Sequence, residues 1–269
     1  MVEQPPDHLT RHLESMAPHR AILRAVECKL MGTVPFDGHR PVLDIGCGDG
    51  HFASIAYTEP IDVGIDVRDE ELREARRRGA SVYVDLAIAS ATRLPFADAS
   101  FATVISNCVI EHIEDNEAVL AEIGRVLRPG GTFATTLPSE HFAPMLLGST
   151  ILRRLRLQRL SSAYGRFFNR ISYHHHIHDP DEWQRRFKAA GLTVVEHQYY
   201  FSAAAHRAFD ASHYLGVPNL IARKLTGRWV LHPAQMKPFD RWLRKYYNEP
   251  LPQPTGAYQF VRCVKHDGR

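Results

Sequence analysis

Asp44, Gly46, Gly48 and Gly50 fall at every second position of "VLDIGCGDG", and Asp66 follows twenty residues after the first of these glycines. Glycines spaced in this way after an apolar run make a turn that a ligand can approach closely. Two carboxylates flank the turn. Asp44 can hold a positively charged group, and Asp66 can accept hydrogen bonds from the paired hydroxyls of a ribose. Further along, Asn107 ends an apolar run and Glu111 and His112 lie just beyond it, in "FATVISNCVIEHI". An imidazole there can take a proton from a hydroxyl or amine. "YHHHIHDPDEW" adds His174, His175, His176, His178 and Asp179, which can ligate a metal or line a polar loop. Side chains alternate along extended backbone, so only His174, His176 and His178 can share a face. The run has no recognised ligand spacing, so no metal is assigned and a solvated or substrate-lining loop is expected. Tyr173, His174 and His176 are therefore candidate substrate contacts, together with His141.

The elements that must hold these groups follow from periodicity. Residues 8–31 carry Leu9, Leu13, Met16, Ile22, Val26 and Leu30 at helix spacing. "PVLDI", "IDVGID", "DLAIA", "FATVIS" and "TFATTL" read as five strands, with helical stretches between most of them. "DEELREARRRGA" places its acids early and its arginines late, as the helix dipole prefers. "NEAVLAEIGRVLRPGG" reads as an amphipathic helix closed by Pro129 and Gly130. This alternation describes a parallel sheet with helices on both faces. After Pro138 it stops, and residues 139–180 form an insertion. Asp179, Pro180 and Glu182 then supply a cap, a first-turn proline and a capping-box acid for the next helix. "LTVVEHQYYF" and "AYQFVRCVKH" read as two further strands, separated by irregular sequence with helical fragments over 202–255.

Composition narrows the function classes. The 269 residues are 44% hydrophobic and 23% charged, typical of a globular protein with one elaborated α/β domain. Lys and Arg number 33 against 30 Asp and Glu, too even a balance for wholesale nucleic-acid binding. Cys28, Cys47, Cys108 and Cys263 are scattered singly, which argues against a disulfide framework or a zinc ribbon. Cys47 and Cys108 read as small packing residues. The first residues lack the apolar run of a leader, and a cytoplasmic location is expected.

The glycine turn departs from a dinucleotide fingerprint, because His51 occupies its third glycine position. A carboxylate two residues before the first glycine also suits an ammonium better than a diphosphate. S-adenosylmethionine carries such an ammonium, and its carboxylate could meet backbone N–H groups at the following helix N-terminus. "VLDIGCGDG", "GID", "ATRLPFADASFATVISNCVIEHI" and "EIGRVLRPGGTFATTLP" together resemble the class I S-adenosylmethionine-dependent methyltransferases, specifically the ubiquinone-biosynthesis-like group, over roughly residues 40–138. The resemblance implies a doubly wound, mostly parallel seven-stranded sheet whose last strand runs antiparallel between its neighbours. It places Gly46, Gly48 and Gly50 in the cofactor loop, Asp66 and Val67 at the ribose and adenine, and Ser90-Ala91 beside the adenine. Ser90 stands where the family often has an acid. Asn107, with Glu111 and His112 just beyond it, would border the methyl group and substrate. From its position and chemistry, His112 is the expected catalytic proton acceptor.

The expected organisation is an N-terminal helical segment (1–38), a cofactor-binding core (39–138), a substrate cap (139–180) and a C-terminal completion of the sheet (181–269). The expected activity is methyl transfer to a small-molecule, sugar or lipid-linked acceptor. The alternatives are an NAD-dependent oxidoreductase, a non-catalytic S-adenosylmethionine-binding protein and a nucleic-acid methyltransferase. "SNCV" replaces the base-handling motif that the last of these would carry. Residues 145–160 combine leucines with Arg153, Arg154, Arg156 and Arg159, as a pocket lid or a peripheral membrane contact would. Packing on the domain with a solvated basic face is the favoured expectation.

Overall fold

The computed structural model describes residues 7–227 and 230–266; residues 1–6, part of the stretch read for a leader, lie outside them. Strands β1 (Val42–Ile45), β2 (Ile61–Asp66), β3 (Tyr83–Ile88), β4 (Phe101–Asn107), β5 (Leu127–Pro138), β6 (Leu192–Tyr200) and β7 (Tyr258–Lys265) form one sheet. Their order is β3-β2-β1-β4-β5-β7-β6. The first five run parallel, and β7 lies antiparallel between β5 and β6. This is the doubly wound α/β sheet expected from the sequence, antiparallel last strand included.

The helices are α1 (His8–Leu13), α2 (Pro18–Met31), α3 (Ala53–Ala56), α4 (Asp69–Arg78), α5 (Asn116–Val126), α6 (Phe142–Met145), α7 (Leu147–Arg154), α8 (Gln158–Ile171), α9 (Pro180–Ala189), α10 (Ala203–Leu215), α11 (Val217–Thr226) and α12 (Lys237–Tyr247). A 3₁₀ turn spans Ile110–His112. No helix among the described residues is long and apolar enough to cross a membrane.

Strand alternation sorts the core into two layers. Leu43, Ile45, Val104, Phe133 and Val261 pack under α5 and α9. Val42, Ile105, Ala134 and Phe260 point the other way, towards α1, α2, α10 and α12. Side chains of a strand alternate between faces, so Asp44 shares the second face, beneath the N-terminal helices. Leu43 and Ile45 are each at most 1% exposed. Burying each contributes roughly 1.5–3 kcal/mol towards holding β1, and so Asp44, in place.

Several elements differ from the sequence reading. The helix expected over 8–31 is two helices, because Pro18 has no N–H to donate and starts α2 at its first position. The helix expected to run to Gly130 ends at Val126, since Pro129 disfavours helical backbone at Arg128; Leu127 instead pairs with Phe101. Residues 202–255 are largely helical, through α10, α11 and α12. Within 145–160, α7 buries only Ser149, whereas Ile151, Leu155, Leu157 and Leu160 are 44–63% exposed. The α7–α8 contact is made by small and polar groups, with Gly148 against Tyr164 and Ser161 Oγ donating to the Ser149 carbonyl, so these leucines are not packed as expected.

Candidate functional site

A cavity of about 970 Å³ opens at the carboxyl ends of β1, β2 and β4, where the strand order reverses. Asp44, Gly46, Gly48, Asp66, Val67, Ser90, Ala91, Asn107, His112 and Tyr173, all singled out from sequence, line it. Gly50, His141, His174 and His176 are outside its lining.

The three glycines of the turn have positive φ values of 75°, 54° and 73°, which non-glycine residues rarely adopt. A side chain at Gly46 would meet Val109 at 2.5 Å, whereas one at Gly48 would meet nothing within 4 Å. Five of the turn's N–H groups are already committed. Those of Gly46 and Cys47 donate to the Ile65 carbonyl, that of Gly48 to Asp66 Oδ2 at 3.1 Å, that of Gly50 to the Cys47 carbonyl, and that of His51 to Asp49 Oδ1. The N–H groups open to a carboxylate at the following helix are those of Asp49, Phe52 and Ala53, for which no acceptor is found among the described residues, and α3 is a single turn. A diphosphate would find few free donors here.

Asp44 is 7% exposed, and among the described residues it takes part in no ion pair. Its Oδ2 accepts from the Tyr83 hydroxyl at 2.6 Å. Tyr83 reaches it from β3 across β2 because Gly64, paired with Asp44 in register, has no side chain; a Cβ there would lie 2.8 Å from the tyrosine ring. Burial pushes the Asp44 carboxyl up to about 7, opposed by the Tyr83 hydrogen bond and reinforced by the charge of Asp66. A buried carboxyl raised in this way at a cavity wall is a ready partner for a cation.

Asp66 ends β2, with Oδ1 accepting from the Arg68 N–H at 2.9 Å. Both oxygens are thereby oriented, and each keeps a lone pair for the cavity. Val67 beside it is 65% exposed, an apolar surface at the cavity wall. Ser90 Oγ bonds Thr92 Oγ1 at 2.8 Å, and Ala91 is buried.

The N-terminal helices supply a wall that the sequence reading did not anticipate. Ser15, Met16, Arg20, Arg24 and Met31 all line the cavity. Arg24 is fixed by Glu27, which is fully buried, through an Nη1–Oε2 contact of 2.6 Å. Glu27 also accepts from Asn107 Nδ2 at 2.9 Å, Cys108 Sγ at 3.2 Å and the Tyr200 hydroxyl at 3.2 Å. Thr136 Oγ1 donates to Asn107 Oδ1 at 2.6 Å, so Asn107 is held at both ends of its amide. The available signal was a charged i, i+3 pair inside the apolar run "AILRAVECKL".

At the opposite edge, His112 Nδ1 lies 3.1 Å from the Tyr173 carbonyl. Burial lowers its pKa, favouring the neutral ring. The histidine run divides: His176 and His178 lie together, with ring centroids 5.7 Å apart, and His174 packs elsewhere. His174 packs against His112 and Phe142, His178 packs against Trp183, and His176 Nε2 bonds the Glu114 carbonyl at 2.8 Å. His141 pairs with Glu140 at 3.1 Å. Cys108 and Tyr173, both at the cavity, have positive φ values of 50° and 54°. Such strain persists only where surrounding contacts enforce it.

A methyltransferase-domain family matches residues 43–135. An uncharacterized methyltransferase of Mycobacterium tuberculosis is 36% identical over 98 residues, covering 36% of this chain and 50% of the relative. The ubiquinone/menaquinone biosynthesis C-methyltransferase of Desulfotalea psychrophila is 36% identical over 110 residues, covering 39% and 45%. The matched region thus spans about half the length of these relatives. An S-adenosylmethionine-dependent methyltransferase of Thermotoga maritima shares the fold over 92% of this chain and 91% of its own, with a TM-score of 0.54 at 19% identity.

Proposed function

We propose that this chain, whose residues 43–135 match a methyltransferase-domain family, transfers a methyl group from S-adenosylmethionine to a small-molecule or lipid-linked acceptor. The observation that carries this reading is Asp44, a buried carboxyl with no cationic partner among the described residues, beside a turn most of whose N–H groups are spent. That pairing suits an ammonium and disfavours the diphosphate of NAD. The other surfaces fit the same molecule. Asp66 offers oriented oxygens to a ribose diol, Val67 an apolar face to a purine, and Arg24 a fixed cation to a carboxylate.

When bound, S-adenosylmethionine supplies a sulfonium-activated methyl group, whose S–C bond breaks as the bond to the acceptor forms. The protein's part is mainly positioning. Glu27, Thr136 and Asn107 make a rigid floor, and α2 closes the cavity above the strand tips. Neutral His112 at the far edge accepts the acceptor's proton.

The exposed apolar residues of α7, α8 and the link between them support an apolar or lipid-linked acceptor. Phe167 and Ile171 of α8 are 49% and 46% exposed, and the chain runs on from Ile171 into Ser172 and Tyr173 at the cavity. Basic residues beside an exposed apolar stripe suit an anionic membrane surface. The quinone named for the Desulfotalea relative belongs to the same chemical class.

Calorimetric titration tests the reading. S-adenosylmethionine and S-adenosylhomocysteine are expected to bind at micromolar concentration, with NAD inert. Asp66→Ala should weaken both by roughly tenfold or more, the value of one or two charge-assisted hydrogen bonds. Binding of NAD alone, or unchanged affinity in the variant, overturns it.

A further inference from the structure

Glu111 has no task in the reading above, yet it is the most conspicuous polar group at this edge. Its side chain is 1% exposed, and neither carboxylate oxygen has a hydrogen-bond partner. Burying a carboxylate in that condition is costly unless a further group satisfies it. The chain has also brought specific neighbours to it. The Glu111 carbonyl accepts from the N–H groups of His175 and His176 at 2.9 and 3.2 Å, which docks the histidine run onto the 3₁₀ turn. One ligand atom each from Glu111, His112 and His174 then lie within 4.8 Å of one another.

The free lone pairs are in suitable places. A neutral His112 donates Nδ1–H to the Tyr173 carbonyl, leaving Nε2 as an acceptor 3.6 Å from Glu111 Oε1. That separation is too long for a hydrogen bond, so a shared proton does not account for the pair. The buried Nδ1 of His174 has no partner either. A backbone carbonyl fixing the tautomer of a ligating histidine is the usual outer support of a metal site.

We propose that Glu111, His112 and His174 bind one divalent transition-metal ion at the edge of the cavity. Two imidazoles and one carboxylate suit Zn²⁺ or neighbours such as Co²⁺, Fe²⁺ and Mn²⁺. Calcium is a poor match, because it needs six to eight oxygen ligands and Glu111 alone supplies carboxylate oxygens here. Ligand atoms around a tetrahedral ion with bonds of about 2.1 Å sit roughly 3.4 Å apart, so the three side chains close in by about an ångström. Three protein ligands leave positions open, and His112 lines the cavity. Resting on the methyl-transfer reading, those positions take the acceptor's hydroxyl oxygen. Its proton passes to solvent, and the O–C bond forms as the donor's S–C bond breaks. His112 is then a ligand in place of a proton acceptor.

Cobalt titration tests the site without a methyl donor, so its outcome is independent of whether methyl transfer occurs. Metal-free protein is expected to take up one Co²⁺ per chain with a visible absorption band that Zn²⁺ abolishes. Zn²⁺ should also raise the thermal unfolding midpoint. Glu111→Gln and His174→Ala should each weaken Co²⁺ binding at least roughly tenfold, and His176→Ala should leave it unchanged. Circular dichroism of the metal-free variants verifies their fold, with His112→Asn as a further ligand variant. Absence of both the band and the Zn²⁺ stabilisation in the wild type overturns the proposal. So does unchanged binding in folded Glu111→Gln or His174→Ala, or loss of binding in His176→Ala.

Discussion

Affinity for S-adenosylmethionine should tighten as pH rises from 6 to 8, with Asp44 setting the midpoint. In the free protein, burial carries this carboxyl from 3.8 up to about 7. A bound ammonium requires the ionised form, so below the midpoint each binding event releases a proton. With the midpoint at about 7, the apparent Kd at pH 6 is roughly elevenfold above its high-pH limit, and at pH 8 only about 1.1-fold above it. Burial pushes Cys47, Tyr57 and Tyr83 upward, so they stay neutral across the range, and pushes His51 downward. Glu111 at the far edge, raised to about 8 by burial, titrates in the same window, and Asp44→Asn separates the two contributions.

The same carboxyl acts on stability with the opposite sign. Between 3.8 and about 7 the folded protein retains a proton that the unfolded chain has lost, so stability falls as pH rises through that window. The cost is fully present above about 7 and is on the order of 4 kcal/mol. Asp44→Asn should therefore make the free protein more stable at pH 8 while binding weakly and without pH dependence. Calorimetry at several pH values, in buffers of differing ionisation enthalpy, counts the released protons; urea unfolding reads the stability. A flat wild-type profile would refute the reasoning, as would a slope that survives in Asp44→Asn.

Gly64→Ala should cost roughly 1–3 kcal/mol in urea unfolding, because its methyl would stand 2.8 Å from the Tyr83 ring and 2.9 Å from Leu86. It should also displace the tyrosine from Asp44 and shift the binding midpoint described above. Glu27→Gln should destabilise by about 3 kcal/mol, since it leaves the Arg24 cation without its buried counter-charge; unfolding curves provide the measure. The α7–α8 surface should co-sediment with anionic lipid vesicles and be released by salt. Leu155→Glu together with Leu160→Glu should abolish that association without altering S-adenosylhomocysteine binding, as both leucines are exposed and outside the cavity lining.

Much of the cofactor half of the cavity was legible because it is local. Asp44, the glycines and Asp66 announce themselves at two strand tips within about two dozen residues, and strand periodicity fixes which face each side chain takes. The acceptor half was less legible. His112 was visible as a residue type, but its neighbours come from a distant insertion, and the alternation rule grouped His174 with the wrong histidines. The backbone of His175 and His176 docks on the Glu111 carbonyl instead of continuing as a regular strand.

Sequence alone determined the strands and the carboxylates at their tips, because apolar periodicity, capping residues and glycine turns act over a few neighbouring positions; the antiparallel last strand was implied by the family resemblance. Tertiary packing decided which groups those carboxylates meet. Tyr83 reaches Asp44 only across the bare backbone of Gly64, Glu27 meets Asn107 from a helix eighty residues earlier, and His174 reaches Glu111 by a loop folding back. Each of these contacts depends on the relative placement of whole elements, which hydrophobic burial sets collectively and which no short stretch of sequence encodes.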